Sequence, residues 1–196
     1  MTKIAVLASG AGTILEAMLE ADLPIGLVLA DRDCRAIQVA KEHGLGALVI
    51  DRTDYGFRPR ETWDRAGFTV RIATELKSRH IDLVAMSGFM TIMTNEIFVQ
   101  YKDRILNTHP SLLPDFKGAR AVPKALQAGV SVTGCTIHVA TPELDSGRIL
   151  AQSGVIVRAT DTEETLHDRI KAVERKLYPE TIKAYLNEKL RKPSTK

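Results

Sequence analysis

Residues 3–15 read Lys-Ile-Ala-Val-Leu-Ala-Ser-Gly-Ala-Gly-Thr-Ile-Leu, and this stretch decides the fold. Lys3 to Ser9 is a short apolar run of strand length. It stops at Gly10, Ala11 and Gly12, after which Ile14, Leu15, Met18 and Leu19 recur at the spacing of one helix face. The reading is strand, glycine turn, helix. Glycine at such a turn lets the backbone approach a ligand, and the helix that follows offers unpaired N–H groups and the positive end of its dipole. An anion would be stabilised there. The Gly-x-Gly-x-x-Gly fingerprint is incomplete, because Leu15 holds the third glycine position, and the P-loop lysine is missing. A βα turn without a ligand accounts for the same residues.

Outward from this unit the alternation continues. Apolar runs at residues 25–30 and 47–50 flank a helical stretch from Cys34 to His43, closed by Gly44. Trp63, Ala66, Val70, Ala73 and Leu76 predict an amphipathic helix over residues 58–79, and residues 81–86 form an unbroken apolar strand of the kind covered on both faces. Ile97, Phe98 and Tyr101 suggest a short helix, residues 104–107 a brief strand, and residues 117–128 a helix ended by Gly129. Beyond Val130, two alternating runs, Val132 to Val139 and Ile149 to Val157, read as adjacent strands near one sheet edge, with residues 141–147 as their turn. Asp161 and Thr162 can cap a last helix that carries Leu166, Ile170, Val173 and Leu177 on one stripe. The expected fold is a single-domain, Rossmann-like α/β architecture, a mostly parallel sheet with helices on both faces. The domain is expected over residues 1–188. Lys189, Arg191, Lys192 and Lys196, beside Pro193 and Ser194, read as a frayed, solvated basic tail over residues 189–196.

Composition agrees with one soluble domain: 196 residues, 44% hydrophobic and 26% charged, can bury a core and are too apolar for a disordered chain. The net charge of +3 is scattered rather than blocked, which argues against a nucleic-acid binder. Cys34 and Cys135 show neither metal-site nor disulfide spacing, so no metal is expected and reduced thiols in a cytoplasmic setting fit. The apolar start only mimics a signal peptide, since Glu16, Glu20 and Asp22 follow at once. No window approaches the ~18 apolar residues of a membrane span.

Ligands of such sheets bind beyond the carboxyl ends of the strands. Besides the glycine turn, three places qualify. Asn107-Thr108-His109-Pro110 follows the brief strand: Asn107 can donate a hydrogen bond and His109 can act as acid, base or cation, or simply be a satisfied polar group. Asp145, with Ser146 and Gly147, lies in the late turn, where it is either a turn-former or a carboxylate able to orient an imidazole. Gly88-Phe89-Met90-Thr91-Ile92-Met93 is unusually apolar for a connection, and either walls a pocket for a flat ring or plugs the core. By default Cys135 is a buried small residue and His138 a partner-satisfied histidine.

Taken together, Asn107-Thr108-His109-Pro110-Ser111-Leu112-Leu113-Pro114, the glycine turn, Ser87 to Met90, Thr133 to His138, Leu144 to Gly147 and Glu174 to Pro179 resemble the folate-dependent formyltransferases nearly end to end. Within that family the likeness is to the branch that acts on 5'-phosphoribosylglycinamide in purine biosynthesis. The resemblance implies 10-formyltetrahydrofolate as co-substrate, no metal, small-molecule substrates only, and a monomer or weak homodimer. It implies Asn107, His109 and Asp145 as the catalytic set. Gly12, Thr13, Ile14, Lys171 and Glu174 would hold the ribonucleotide, Glu174 gripping the glycinamide end. Arg60, Met90, Thr91, Ile92 and Met93, with Thr141, Pro142, Glu143 and Leu144, would form the folate side, and His138 would line the site. Departures fall at the periphery. Ile14 stands where the family often has Asn, Thr91 where it often has Arg and Lys171 where it often has Gln, while Ala119-Arg120-Ala121 replaces a loop that commonly carries His. Methionyl-tRNA formyltransferase and formyltetrahydrofolate deformylase share the catalytic set. Each adds a domain that 196 residues are not expected to hold, and Glu174 favours a small amine acceptor. A non-catalytic nucleotide-binding module using the same turn is the alternative of a different class.

Overall fold

The glycine turn does break strand from helix: β1 (Ile4–Ala8) is followed by α1 (Thr13–Glu20), with Gly12 left-handed at φ 77° as the helix N-cap. Two observations require glycine there. A side chain is disfavoured at that φ, and an added Cβ would come within 2.9 Å of Ala36 Cα. A computed structural model of the chain describes residues 2–57 and 62–191. In them α1 is followed by β2 (Ile25–Ala30), α2 (Arg35–Glu42), β3 (Gly46–Val49), a 3-10 turn (Arg52–Tyr55), α3 (Arg65–Ser78) and β4 (Leu83–Ser87). Then come α4 (Asn95–Gln100), β5 (Ile105–His109), α5 (Ala121–Gln127), β6 (Val132–Val139), β7 (Ile149–Ile156) and α6 (Glu163–Arg191).

The seven strands form one sheet in the order β3-β2-β1-β4-β5-β6-β7. Strands β3, β2, β1, β4 and β5 are mutually parallel, β6 pairs antiparallel with β5, and β7 antiparallel with β6. The expected mostly parallel sheet and the late strand pair at its edge are both present. Order reverses between β1 and β4, which opens a crevice at their carboxyl ends.

Because successive strand residues point to opposite faces, each strand feeds two cores. Ile4, Val6 and Ala8 of β1 join Val28, Leu83, Leu106 and Ile137 against α1, α2 and α6. Ala5 and Leu7 join Leu27, Leu29, Val84 and Ile105 against α3 and α4. The same alternation sorts the polar residues that follow. Asn107 and His109 share the face of Ile105, toward α3 and α4, whereas Thr108 shares the face of Leu106, beneath α6. In the β5–β6 register, Asn107 is opposite His138 and His109 opposite Thr136.

The structure corrects several boundaries. Of the helix expected over residues 58–79, residues 58–61 lie outside the described residues and the described part starts at Arg65, where the Asp64 side chain accepts the Gly67 N–H. Its buried face is Phe68, Thr69, Ile72, Ala73 and Leu76, and Val70 is 49% exposed. The Trp63–Val70 periodicity therefore marked the wrong stripe. The brief strand runs to His109, so the histidine ends β5 rather than following it, and α5 is confined to Ala121–Gln127. Thr162 does cap α6, its Oγ1 accepting the Thr165 N–H. That helix passes through Pro179 and reaches Arg191; residues 192–196, most of the expected basic tail, lie outside the described residues.

Tyr178, fully buried on α6, donates from Oη to Leu106 O at 2.7 Å and fastens the long helix to β5. Removing one buried hydrogen bond without opening a large cavity costs about 1 kcal/mol. Tyr178→Phe is expected to lower the unfolding free energy by that amount, seen as a lower urea midpoint with an unchanged m-value in equilibrium unfolding followed by circular dichroism.

Candidate active site

Three elements bring polar groups to the carboxyl end of β5. Strand β5 supplies Asn107 and His109, and β6 supplies His138 across the register. The connection between β6 and β7 folds back to place Asp145, which is left-handed at φ 49°. His109 Nδ1 lies 3.3 Å from Asp145 Oδ2, and His138 Nε2 lies 3.5 Å from Asp145 Oδ1. His138 Nε2 is also 3.2 Å from Asn107 Nδ2. A proton on that nitrogen serves the carboxylate, and without one the nitrogen accepts from Asn107. The other nitrogen of His109, Nε2, is 2.9 Å from Phe116 O. Both partners of the His109 ring are acceptors, so a ring carrying two N–H groups satisfies both.

Burial by itself would raise the Asp145 pKa. The hydrogen bond from His138, the Gly118 N–H at 2.8 Å and the two nearby imidazoles outweigh it and hold the carboxyl below the usual range. Gly118, left-handed at φ 77°, belongs to the loop between β5 and α5 that covers Asp145 and His109. Under this loop, Thr136 binds the Asn-Thr-His-Pro-Ser-Leu-Leu-Pro run to β6: its Oγ1 donates to Ser111 O at 2.7 Å and accepts the Leu113 N–H at 3.0 Å. Gln152 of β7 completes the brace by donating to Leu113 O.

These groups open onto a cleft of about 460 Å³. One wall is the segment after β4, which resolves the two sequence readings by alternation. Phe89, Thr91 and Met93 are buried, whereas Met90 and Ile92, at 70% and 53% exposure, stand out beside the cleft. Thr141, Pro142 and Leu144 line the opposite side, while Glu143 is exposed and outside the lining. Arg60 lies outside the described residues.

Across the crevice, the Gly12 turn leaves the first N–H groups of α1 unpaired within the helix. The Ile14 side chain is buried in the core, so only its backbone faces the turn. A residue that sequence reading missed braces this turn: Arg35 donates from Nη1 to Ala11 O at 2.8 Å and from Nη2 to Glu16 at 2.6 Å. Its role depends on α2 docking against the turn, seen as the Ala36 N–H on Gly10 O, and no local pattern signals that. Glu174 and Lys171 sit on α6, Lys171 Nζ being 3.7 Å from Asp168. Burial pushes the Glu174 carboxyl up, partly opposed by the Thr108 hydroxyl, Lys171 and Arg175. The same burial, with Glu174 nearby, pushes the Cys135 thiol up to about 12, so it is inert.

The sequence model of the family described as formyl transferase matches residues 2–182. The chain belongs to the formyl transferase family. It is 40% identical over 187 residues to a phosphoribosylglycinamide formyltransferase of Mycobacterium tuberculosis, covering 93% of this chain and 84% of that one. Among solved structures it is similar to glycinamide ribonucleotide transformylase 1 from Symbiobacterium toebii, with a TM-score of 0.85 and 39% identity over 93% of this chain and 86% of that one. It is also similar to the phosphoribosylglycinamide formyltransferase from Streptococcus pneumoniae, with a TM-score of 0.87 and 33% identity over 95% and 99%. Of the positions that sequence reading set apart from the family pattern, Ala119, Arg120 and Ala121 line the cleft together with His109 and Asp145. Ile14 turns its side chain inward, and Thr91 turns its hydroxyl into a buried hydrogen bond with Asp31.

Proposed function

We propose that this formyl transferase moves the formyl group of 10-formyltetrahydrofolate to the amine of 5'-phosphoribosylglycinamide, giving formylglycinamide ribonucleotide and tetrahydrofolate. The observation that carries the reading is the convergence of Asn107, His109 and Asp145 at the mouth of an apolar cleft. The relatives' names supply the acceptor. In this reading Met90, Ile92, Thr141, Pro142 and Leu144 flank the folate. The N–H groups of Gly12, Thr13 and Ile14 take the ribonucleotide phosphate at the α1 terminus. Glu174 and Lys171 hold the rest of the acceptor, and His138 steadies Asp145. The setting is cytoplasmic and both substrates are small molecules.

The chemistry follows from charge. The amine nitrogen attacks the formyl carbon, and the carbonyl π pair moves to oxygen. That oxygen replaces Phe116 O as the acceptor from His109 and takes a second hydrogen bond from Asn107 Nδ2, each worth on the order of 3 kcal/mol in the transition state. Asp145, ionised and beside His109, takes the proton shed by the new C–N nitrogen, through water, and passes it on to folate N10. As this proton arrives the oxyanion pair re-forms the carbonyl and the bond from N10 to the formyl carbon breaks with its pair left on N10, so no covalent enzyme intermediate forms.

A spectrophotometric assay of tetrahydrofolate release with phosphoribosylglycinamide, initiator methionyl-tRNA or water as acceptor tests this. Release is expected to require the ribonucleotide. A rate independent of it would make the protein a deformylase, and ligand binding without turnover would make it a binding module.

A further inference from the structure

The segment that walls the cleft after β4 is rooted by Phe89 and Met93 in the core against α3 and α4, while the hydroxyl between them, on Thr91, is tied away from the Asn107, His109 and Asp145 cluster. Asp31, the residue after β2, is fully buried. Its carboxylate accepts from Thr91 Oγ1 at 2.6 Å, from Arg32 Nε at 3.1 Å and from Arg52 Nη1 at 3.4 Å. Arg52, carried on the 3-10 turn after β3, also reaches Thr91 Oγ1 at 3.4 Å and stacks over the Phe57 ring at 4.0 Å. A second tie runs from the Met90 N–H to Ser9 Oγ at 3.0 Å. Residues just past β1, β2 and β3 therefore all converge on the segment just past β4, at the crevice where strand order reverses.

We infer that the buried Asp31–Thr91–Arg52 cluster is the positioning centre of this wall, with Asp31 and Arg52 acting from outside the cleft lining to fix where Met90 and Ile92 stand and so set affinity for the formyl donor. The alternation makes this mechanical: Thr91 lies between the two exposed side chains, so a shift of its hydroxyl moves both neighbours. A neutral threonine suits the buried acid because it donates one short bond and leaves Asp31's charge to the arginines. Burial alone would raise the Asp31 pKa, and the hydrogen bonds from Arg32, Thr91 and Ser9 hold it below the ordinary carboxylate range instead. The carboxylate is thus ionised throughout the neutral range, and its bonds are charge-assisted.

The inference rests on the functional reading above, and the test separates the two. Thr91→Val keeps the shape and removes the donor, Asp31→Asn removes the charge, and Thr91→Ser restores the hydroxyl. Calorimetric titration with tetrahydrofolate and, separately, with phosphoribosylglycinamide is combined with steady-state kinetics. For Thr91→Val and Asp31→Asn the folate Kd and KM are expected to rise about tenfold. The kcat and the ribonucleotide Kd should stay within about twofold, and Thr91→Ser should bind folate as the wild type does. A wild type that binds tetrahydrofolate alongside a Thr91→Val variant that binds it equally well overturns this inference alone, as does a variant in which both substrates weaken together. A wild type that binds no tetrahydrofolate overturns the functional reading with it. Should Asp31→Asn fail to fold, Thr91→Val decides.

Discussion

His109→Ala lowers kcat for formyl transfer by roughly 10² to 10⁴ while the thermal transition stays cooperative. The ring is 6% exposed and makes its two polar contacts through side-chain nitrogens, to Asp145 and to Phe116 O. Truncation deletes the donor to the developing oxyanion yet leaves Thr136 and Gln152 to hold the surrounding run on β6 and β7. The loss should appear in kcat more than in either KM, because the bond to the formyl oxygen strengthens only as charge builds on it. Single-turnover quench measurements of formyl transfer would check this. A variant retaining more than a tenth of wild-type kcat would remove His109 from the mechanism.

Asp145→Asn comes next in size. The carboxylate accepts the Gly118 N–H and faces nitrogens of His109 and His138. An amide of the same shape has one acceptor oxygen; set toward Gly118 and His109, it leaves its NH₂ facing His138 Nε2, which then has to be the acceptor. A fall in kcat of roughly 10² or more is expected, since the proton acceptor is gone and the His109 ring loses its anionic partner. The pH–rate profile should shift with it, and an unshifted profile would mean that Asp145 does not act on His109. Stability supplies the signed counterpart. The Asp145 pKa is lowered in the folded state, so its contribution is fully present above the ordinary carboxylate range of about 4 and is lost as pH falls through the lowered folded value. The stability gap between wild type and Asp145→Asn should therefore be constant near neutrality and close in acid. Glu174, on α6, moves the other way, its carboxyl raised by burial, so the two carboxyls are driven apart in acidity by their surroundings.

What could be read in advance followed from local chemistry. The β1–Gly12–α1 unit, the parallel strands and the Thr162 cap are each decided within a few residues, by apolar length, by a glycine that must be left-handed, or by a hydroxyl at a helix start. The start of α3 was misread because Trp63 is half-buried outside the helix and extended an apolar periodicity that the Asp64 cap cuts off. The segment after β4 was legible as apolar but not as two-sided, since packing of Phe89 and Met93 in the core and the Thr91 bond to Asp31 decide which side chains are rooted. Asn107, His109 and Asp145 were each visible as polar residues near strand ends, and the family resemblance grouped them. Their distances depend on β5–β6 pairing and on the fold-back of the following turn, which no spacing along the chain encodes. Arg35 and the Asp31 cluster depend on partners as much as 60 residues apart, beyond any motif.

The antiparallel seam between β5 and β6 has a further effect on the population of molecules in a preparation. A slip of one position along it would turn His138 and Thr136 to the α6 face and bring Cys135 and Ile137 beneath the loop between β5 and α5. Such a chain could keep most of its secondary structure yet would have no site at all. Turnover per milligram therefore counts correctly zipped molecules, and it should expose misassembled protein that a spectrum of helix content would pass as native.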